Sequence, residues 1–83
     1  MYEIQFYEKA EKQFNKLSSD IKDRILNNLE RIKIRPFSFV KRLIGTNYFR
    51  LRVGEYRLIL DIQNNKLIIF VIELGHRKNI YKK

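Results

Sequence analysis

Arginines are the side chains best equipped for chemistry in this sequence. Arg50, Arg52 and Arg57 lie in the segment YFRLRVGEYRLIL, on either side of Gly54-Glu55. A glycine between two alternating runs is a hairpin signal. A two-residue loop there sets Val53 opposite Tyr56, Arg52 opposite Arg57, Leu51 opposite Leu58 and Phe49 opposite Leu60. Alternation then puts Phe49, Leu51, Val53, Tyr56, Leu58 and Leu60 on one face, where helices can pack. The other face carries Tyr48, Arg50, Arg52 and Arg57. Like charges directly opposite one another weaken a sheet, and sequences break such local rules mostly at functional sites. A guanidinium is a planar fork of donors that never loses its charge, so a rigid cluster of them suits a phosphate clamp. The plainer reading has these arginines splayed into water or paired with Asp61 and the helix carboxylates. Three on one face, with too few acids to neutralise them, favour the clamp.

A second group, Gly75-His76-Arg77-Lys78-Asn79-Ile80-Tyr81, leaves the last strand and can curl back over the arginine face. Each of its signals is weak by itself. A lone histidine is commonly a surface or capping residue, a basic tail is commonly just solvated, and a terminal tyrosine often anchors by packing. Other chemistries lack their residues. The chain has no cysteine, which rules out disulfides, thiolate metal sites and a cysteine nucleophile. One histidine and scattered carboxylates offer no metal-ligand spacing. There is no glycine-rich phosphate loop and no Ser–His–Asp set, and no cofactor is implied.

The elements that must position these groups follow from periodicity. Tyr2 to Tyr7 alternates as a half-buried strand, with Tyr2, Ile4 and Phe6 on one side. From Glu8 to Leu17 the period changes, and Ala10, Phe14 and Leu17 form the stripe of a short amphipathic helix. Ser18, Ser19 and Asp20 break it and supply N-cap chemistry for a second helix. Ile21, Ile25, Leu29 and Ile32 line that helix, Leu26 widens the stripe, and Pro36 ends it. Phe37 to Thr46 reads as a connector anchored by Phe39, Val40, Leu43 and Ile44. Three strands follow: Tyr48 to Val53, Tyr56 to Ile62, and Leu67 to Leu74, with a tight turn at Asn64-Asn65. The third strand opens on the longest apolar run, Leu67 to Ile72, and reads as central and buried on both faces. The expected fold is α+β: an N-terminal strand, a two-helix hairpin, then a three-stranded antiparallel meander, in one domain over residues 1–83.

Charge narrows the partners. Eighteen Lys plus Arg against nine Asp plus Glu give +9 on 83 residues. So large an excess attracts nucleic acid, an anionic membrane or an acidic protein, and an arginine-bearing sheet points to nucleic acid, RNA above all. No apolar run approaches the about 20 residues of a membrane span. MYEIQFYEKAEK carries acids and no long apolar core, so no secretory signal is expected, and the missing cysteines fit a reducing cytoplasm.

YFRLRVGEYRLIL followed by FVIELGHRKNIY resembles the RelE/ParE superfamily of bacterial and archaeal toxins, its RelE branch in particular. The likeness runs over nearly the whole chain: strand, helical hairpin, VKRLIG connector, G-x-YR hairpin, and a strand ending in a glycine with a nearby arginine and a later tyrosine. The resemblance implies a RelE-like fold and the toxin of a type II toxin–antitoxin system. It implies a ribosome-dependent mRNA endonuclease held in check by a small acidic, RelB-like antitoxin. ParE-like relatives share the fold but poison DNA gyrase, which is the alternative reading. It further implies Arg57 as the arginine of the YR motif, Arg77 as the arginine after the last glycine, and Tyr81 as the C-terminal tyrosine. Two lysines of the best-known member fall at Tyr48 and Arg50, and a further basic position at Arg52.

RNA carries its own nucleophile in the 2′-hydroxyl, so cleavage needs a base, stabilisation of the phosphorane and an acid for the leaving 5′-oxygen. Arg50, Arg52, Arg57 and Arg77 suit the second task and not the first, because arginine hardly deprotonates. The candidates for proton transfer are Tyr81, Tyr48 and His76. A cationic cluster favours a phenolate, and the resemblance places a tyrosine at Tyr81, with His76 in reserve. Arg57, Arg77, Tyr81 and Arg50 are therefore the expected catalytic set. Arg52, Tyr48, His76 and Lys78 are the expected substrate-binding set.

Overall fold

The computed structural model describes residues 1–76. Its first strand, β1 (Glu3–Phe6), is followed by helix α1 (Glu8–Asn15) and helix α2 (Ser19–Ile32). The strands β2 (Val40–Arg42), β3 (Phe49–Val53), β4 (Tyr56–Gln63) and β5 (Ile68–His76) complete the order. The fold is α+β, as expected, with one mixed sheet in the order β1-β5-β4-β3-β2.

The helices form where their caps permit. Glu8 and Glu11 occupy the first turn of α1, where carboxylates suit the positive end of the helix dipole. Ser18 caps α2 by accepting a hydrogen bond from the Ile21 N–H at 3.4 Å. Ala10 of α1 and Ile25, Leu29 and Ile32 of α2 are buried. They share one core with Leu51, Val53, Leu58, Leu60, Ile69, Val71 and Leu74 from the sheet. Burying one such aliphatic side chain contributes about 1.5–3 kcal/mol. A like-charged cross-strand pair costs at most about 1 kcal/mol. The core therefore carries the arginine face with ease.

The β3–β4 hairpin has the expected register. Val53 pairs with Tyr56, Arg52 with Arg57, Leu51 with Leu58 and Phe49 with Leu60. Gly54 holds a φ of 61°, the left-handed conformation that a two-residue hairpin loop asks of its glycine. β5 is interior, between β1 and β4, and pairs with β1 in parallel.

Several expectations need correction. The connector contains a short strand: β2 pairs antiparallel with β3, after a single 3-10 turn at Pro36–Ser38. The C-terminal meander thus gains strands on both flanks and becomes part of a five-stranded sheet. Leu26 stands 44% exposed and does not widen the α2 stripe. The turn after β4 spans residues 64–67, not Asn64-Asn65 alone. Leu67 takes a φ of 55° there instead of starting the strand. β5 is buried on one face only, since Ile68, Phe70 and Ile72 remain half-exposed on it.

β5 is also irregular between its pairings with Ile59 and Leu60: Ile59 faces Glu73 while Leu60 faces Val71. Ile72 is the extra residue of a β-bulge, and a one-residue slip turns every later side chain over. Strict alternation from Ile69 and Val71 would have buried Glu73 and exposed Leu74. The bulge puts Leu74 in the core, 1% exposed, and Glu73 on the other face.

Candidate nucleic-acid interface

The sheet face turned away from the helices is the candidate site. Two cross-strand rows make its cationic end. Lys41 lies opposite Arg50, which lies opposite Ile59, which lies opposite Glu73. Arg52 lies opposite Arg57, which lies opposite Gly75. Gly75 contributes no side chain beside Arg57. Arg57 is buried at 8% exposure, whereas the expectation had it exposed. Arg50 is half-buried, and Arg52 is exposed. The Arg52 Nε donates to the Gly54 carbonyl oxygen at 3.3 Å, which ties one guanidinium to the hairpin loop. Tyr48, 40% exposed, stands just ahead of β3. Its N–H donates to Thr46 Oγ1 at 3.0 Å, and its carbonyl accepts from the Leu43 N–H at 3.0 Å.

The carboxylates of Asp61 and Glu73 share this face. Glu73 meets Lys9 Nζ at 3.4 Å, and Asp61 accepts from Gln63 Nε2 at 2.9 Å. The arrangement is a rigid array of guanidiniums at graded depth, Arg57 deepest and Arg52 outermost. Guanidiniums held together on a sheet suit the oxygens of a phosphate.

Lys41 is a residue the sequence reading missed. Its signal lay in Val40-Lys41-Arg42, where Val40 packs on the core and Lys41 points the other way. An edge strand also favours lysine because it blocks pairing with another chain. Lys41 can serve both ends.

His76 is not with the arginines. It pairs with Tyr56, which shares the face of Leu58 and Leu60. The Tyr56 and His76 rings meet edge to face at a centroid distance of 5.5 Å. The bulge at Ile72 is the reason, since it turns the end of β5 over. His76 instead lines an open cleft of about 390 Å³ with Gln13, Lys16, Leu17 and Tyr56. Gln13 closes the β5 edge in this cleft, its Oε1 accepting from the Leu74 N–H at 2.8 Å. Of the expected site residues, Arg50, Arg52 and Arg57 are thus brought together, and His76 is carried to the opposite face. Arg77, Lys78 and Tyr81 lie outside the described residues.

Comparison with known proteins gives one family and several similar toxins. The family described as the ParE toxin of type II toxin–antitoxin systems, parDE, matches residues 4–81. The mRNA interferase toxin RelE of Escherichia coli (strain K12) is 29% identical over 80 residues, which cover 93% of this chain and 84% of that protein. The crystal structure of the isolated E. coli RelE toxin superposes with a TM-score of 0.81 at 25% identity, over 98% of this chain and 92% of that one. The intact E. coli RelBE toxin–antitoxin complex contains a chain matching at a TM-score of 0.79 and 27% identity, over 92% of this chain and 96% of that one.

Proposed function

This chain belongs to the ParE toxin family of type II toxin–antitoxin systems, and on that premise we propose that it is a ribosome-dependent mRNA endonuclease that arrests translation. The observation that carries the proposal is the pairing of Arg52 with Arg57 beside Arg50 on one rigid sheet face. The RelE relatives named as mRNA interferases support the same reading. The gyrase-poisoning alternative draws on the family description, which names ParE.

The mechanism follows from the substrate. The 2′-oxygen attacks the adjacent phosphorus, its proton passes to a base, and the P–O5′ bond breaks as the 5′-oxygen takes up a proton. The products are a 2′,3′-cyclic phosphate and a 5′-hydroxyl, and the balance calls for no metal. Arg57 and Arg50 hold the phosphorane oxygens as negative charge gathers on them. Arg52 and Tyr48 grip the flanking strand. Arg77 and Lys78 add positive charge, and Tyr81 moves the proton; these roles are carried over from the family motif. That His76 faces away from the arginines supports Tyr81 over His76 as the proton carrier, and leaves His76 without its expected place among the substrate-binding residues.

A face this small can clamp a phosphate but has little means of orienting a strand, so the ribosome supplies the orientation. Induced expression should arrest growth and cut translated mRNA, leaving ends with 2′,3′-cyclic phosphates, while free RNA is cut little. Mapping the ends by ligation chemistry checks this. Intact mRNA with broken chromosomal DNA would select gyrase poisoning instead, and 5′-phosphate ends would rule out 2′-hydroxyl attack.

RNA affinity should fall steeply with salt, because each phosphate contact to a single strand contributes a slope of about −0.7 in log K against log salt. Contacts from Lys41, Arg50, Arg52 and Arg57 give a slope of about −3. A nearly flat slope in a filter-binding titration would count against the clamp.

The +9 charge also fits an acidic antitoxin that covers this protein in a toxin–antitoxin hetero-oligomer. Affinity purification from the native host should recover a small acidic protein bound in defined ratio. Among the described residues no helix is long and apolar enough to cross a membrane, and an action on ribosomes places the proposed activity in the cytoplasm.

A further inference from the structure

The open sheet face has a second end that the arginines do not use. Tyr7 and Phe70 meet there with ring centroids 5.5 Å apart at 59°. Tyr7 is 44% exposed, and Phe70 is half-exposed between Ile69 and Val71, both 0% exposed on the core side. Phe70 has Gln5 and Asp61 as its cross-strand partners. Neither ring is on a loose element. The Tyr7 N–H donates to the Val71 carbonyl at 2.9 Å, and its own carbonyl accepts from the Glu11 N–H at 2.9 Å. Phe70 sits on β5, an interior strand between β1 and β4.

Resting on the RNA-cutting reading above, we propose that Tyr7 and Phe70 form a stacking platform for a base of the same RNA strand whose scissile phosphate the arginines hold. Charge divides the face in the sense this requires. Lys41, Arg50, Arg52 and Arg57 occupy the end nearest the β3–β4 hairpin, and suit phosphates. The aromatic end is bordered by Asp61, Gln5 and Gln63, which repel or ignore phosphate but offer acceptors and donors to a base edge. Asp61 and Phe70 lie four residues along β4 from Arg57, about 13 Å away. A stretched strand covers that distance in a few nucleotides. Single-strand binders combine these two elements, a cationic track and aromatic rings on which any base can stack. Within the orientation that the ribosome supplies, the platform adds one base contact at a set distance from the clamp, and so contributes to the choice of cleavage position.

The test uses the full chain and a short labelled RNA whose 2′-oxygens are methylated, so that it binds without being cut. Tyr7→Ala and Phe70→Leu are each expected to weaken binding roughly 5- to 100-fold while the slope of log K against log salt stays at the wild-type value. A set of oligonucleotides, each lacking one base, then locates the stacked position. Where that base is missing, wild type and variants should bind alike. Thermal melting guards against a folding defect, and Tyr7→Ala, at the more exposed of the two positions, is the safer variant. Equal binding by wild type and both variants overturns the platform, as does the absence of any base whose removal erases the difference. Variants that lose only affinity for a co-purified acidic protein assign the rings to that partner and also overturn it. A wild-type protein that binds no RNA at low salt overturns the RNA-cutting reading itself, an outcome distinct from the other three.

Discussion

Arg57→Ala should lower the rate of mRNA cleavage on ribosomes by roughly 100- to 1000-fold, the usual loss when one preorganised donor to a developing oxyanion is removed. Toxicity on induced expression should disappear with it. Because Arg57 is only 8% exposed, its alkyl stem is part of the packing, and alanine will also lower stability. Arg57→Met separates the two effects. Methionine retains an unbranched chain in the same space, and an apolar replacement for a buried charge is often neutral or stabilising. Arg57→Met should therefore melt near the wild-type temperature and still be as inactive as Arg57→Ala. A methionine variant that cleaves at close to the wild-type rate would remove Arg57 from the chemistry. Arg77→Ala should match the loss in rate of Arg57→Ala.

Tyr81→Phe keeps the ring and removes the hydroxyl. If Tyr81 moves the proton, single-turnover cleavage should fall about 100-fold or more, with binding of uncleavable RNA unchanged. His76→Ala should do little to the rate, because the His76 ring lies against Tyr56 on the helix side of the sheet. The opposite pattern, a crippled His76→Ala beside an active Tyr81→Phe, would assign proton transfer to the histidine and require the end of β5 to rearrange on the ribosome.

The hairpin was legible because one glycine and a strict alternation leave a single register that buries Leu51, Val53, Leu58 and Leu60 together. The helices were legible from Ser18 and from the spacing of Ile25, Leu29 and Ile32. Depth was not legible. Alternation tells which face Arg57 occupies but not how much of the guanidinium other groups cover. β2 was missed because three residues are too few to establish a period, and it exists only by pairing with β3. His76 was misplaced because the group from Gly75 onward was read as a tail curling back over the arginine face, whereas β5 runs on to His76 and its bulge turns that end over. The order Val71-Ile72-Glu73-Leu74 did hold the clue, since uninterrupted alternation would have sunk a carboxylate into the core and lifted a leucine out of it.

That extra residue at Ile72 leaves the gene room to lose a codon there. With position 72 deleted, Val71, Glu73 and Leu74 would follow one another in strict alternation, so the strand would pair regularly and Leu74, Gly75 and His76 would keep the faces they hold now. Leucine would stay in the core, and the ring resting on Tyr56 would stay away from the guanidiniums. The same loss inside the regular run from Ile69 to Val71 would set Val71 on the face opposite Ile69. A one-codon deletion should therefore be borne at position 72 and not at position 70.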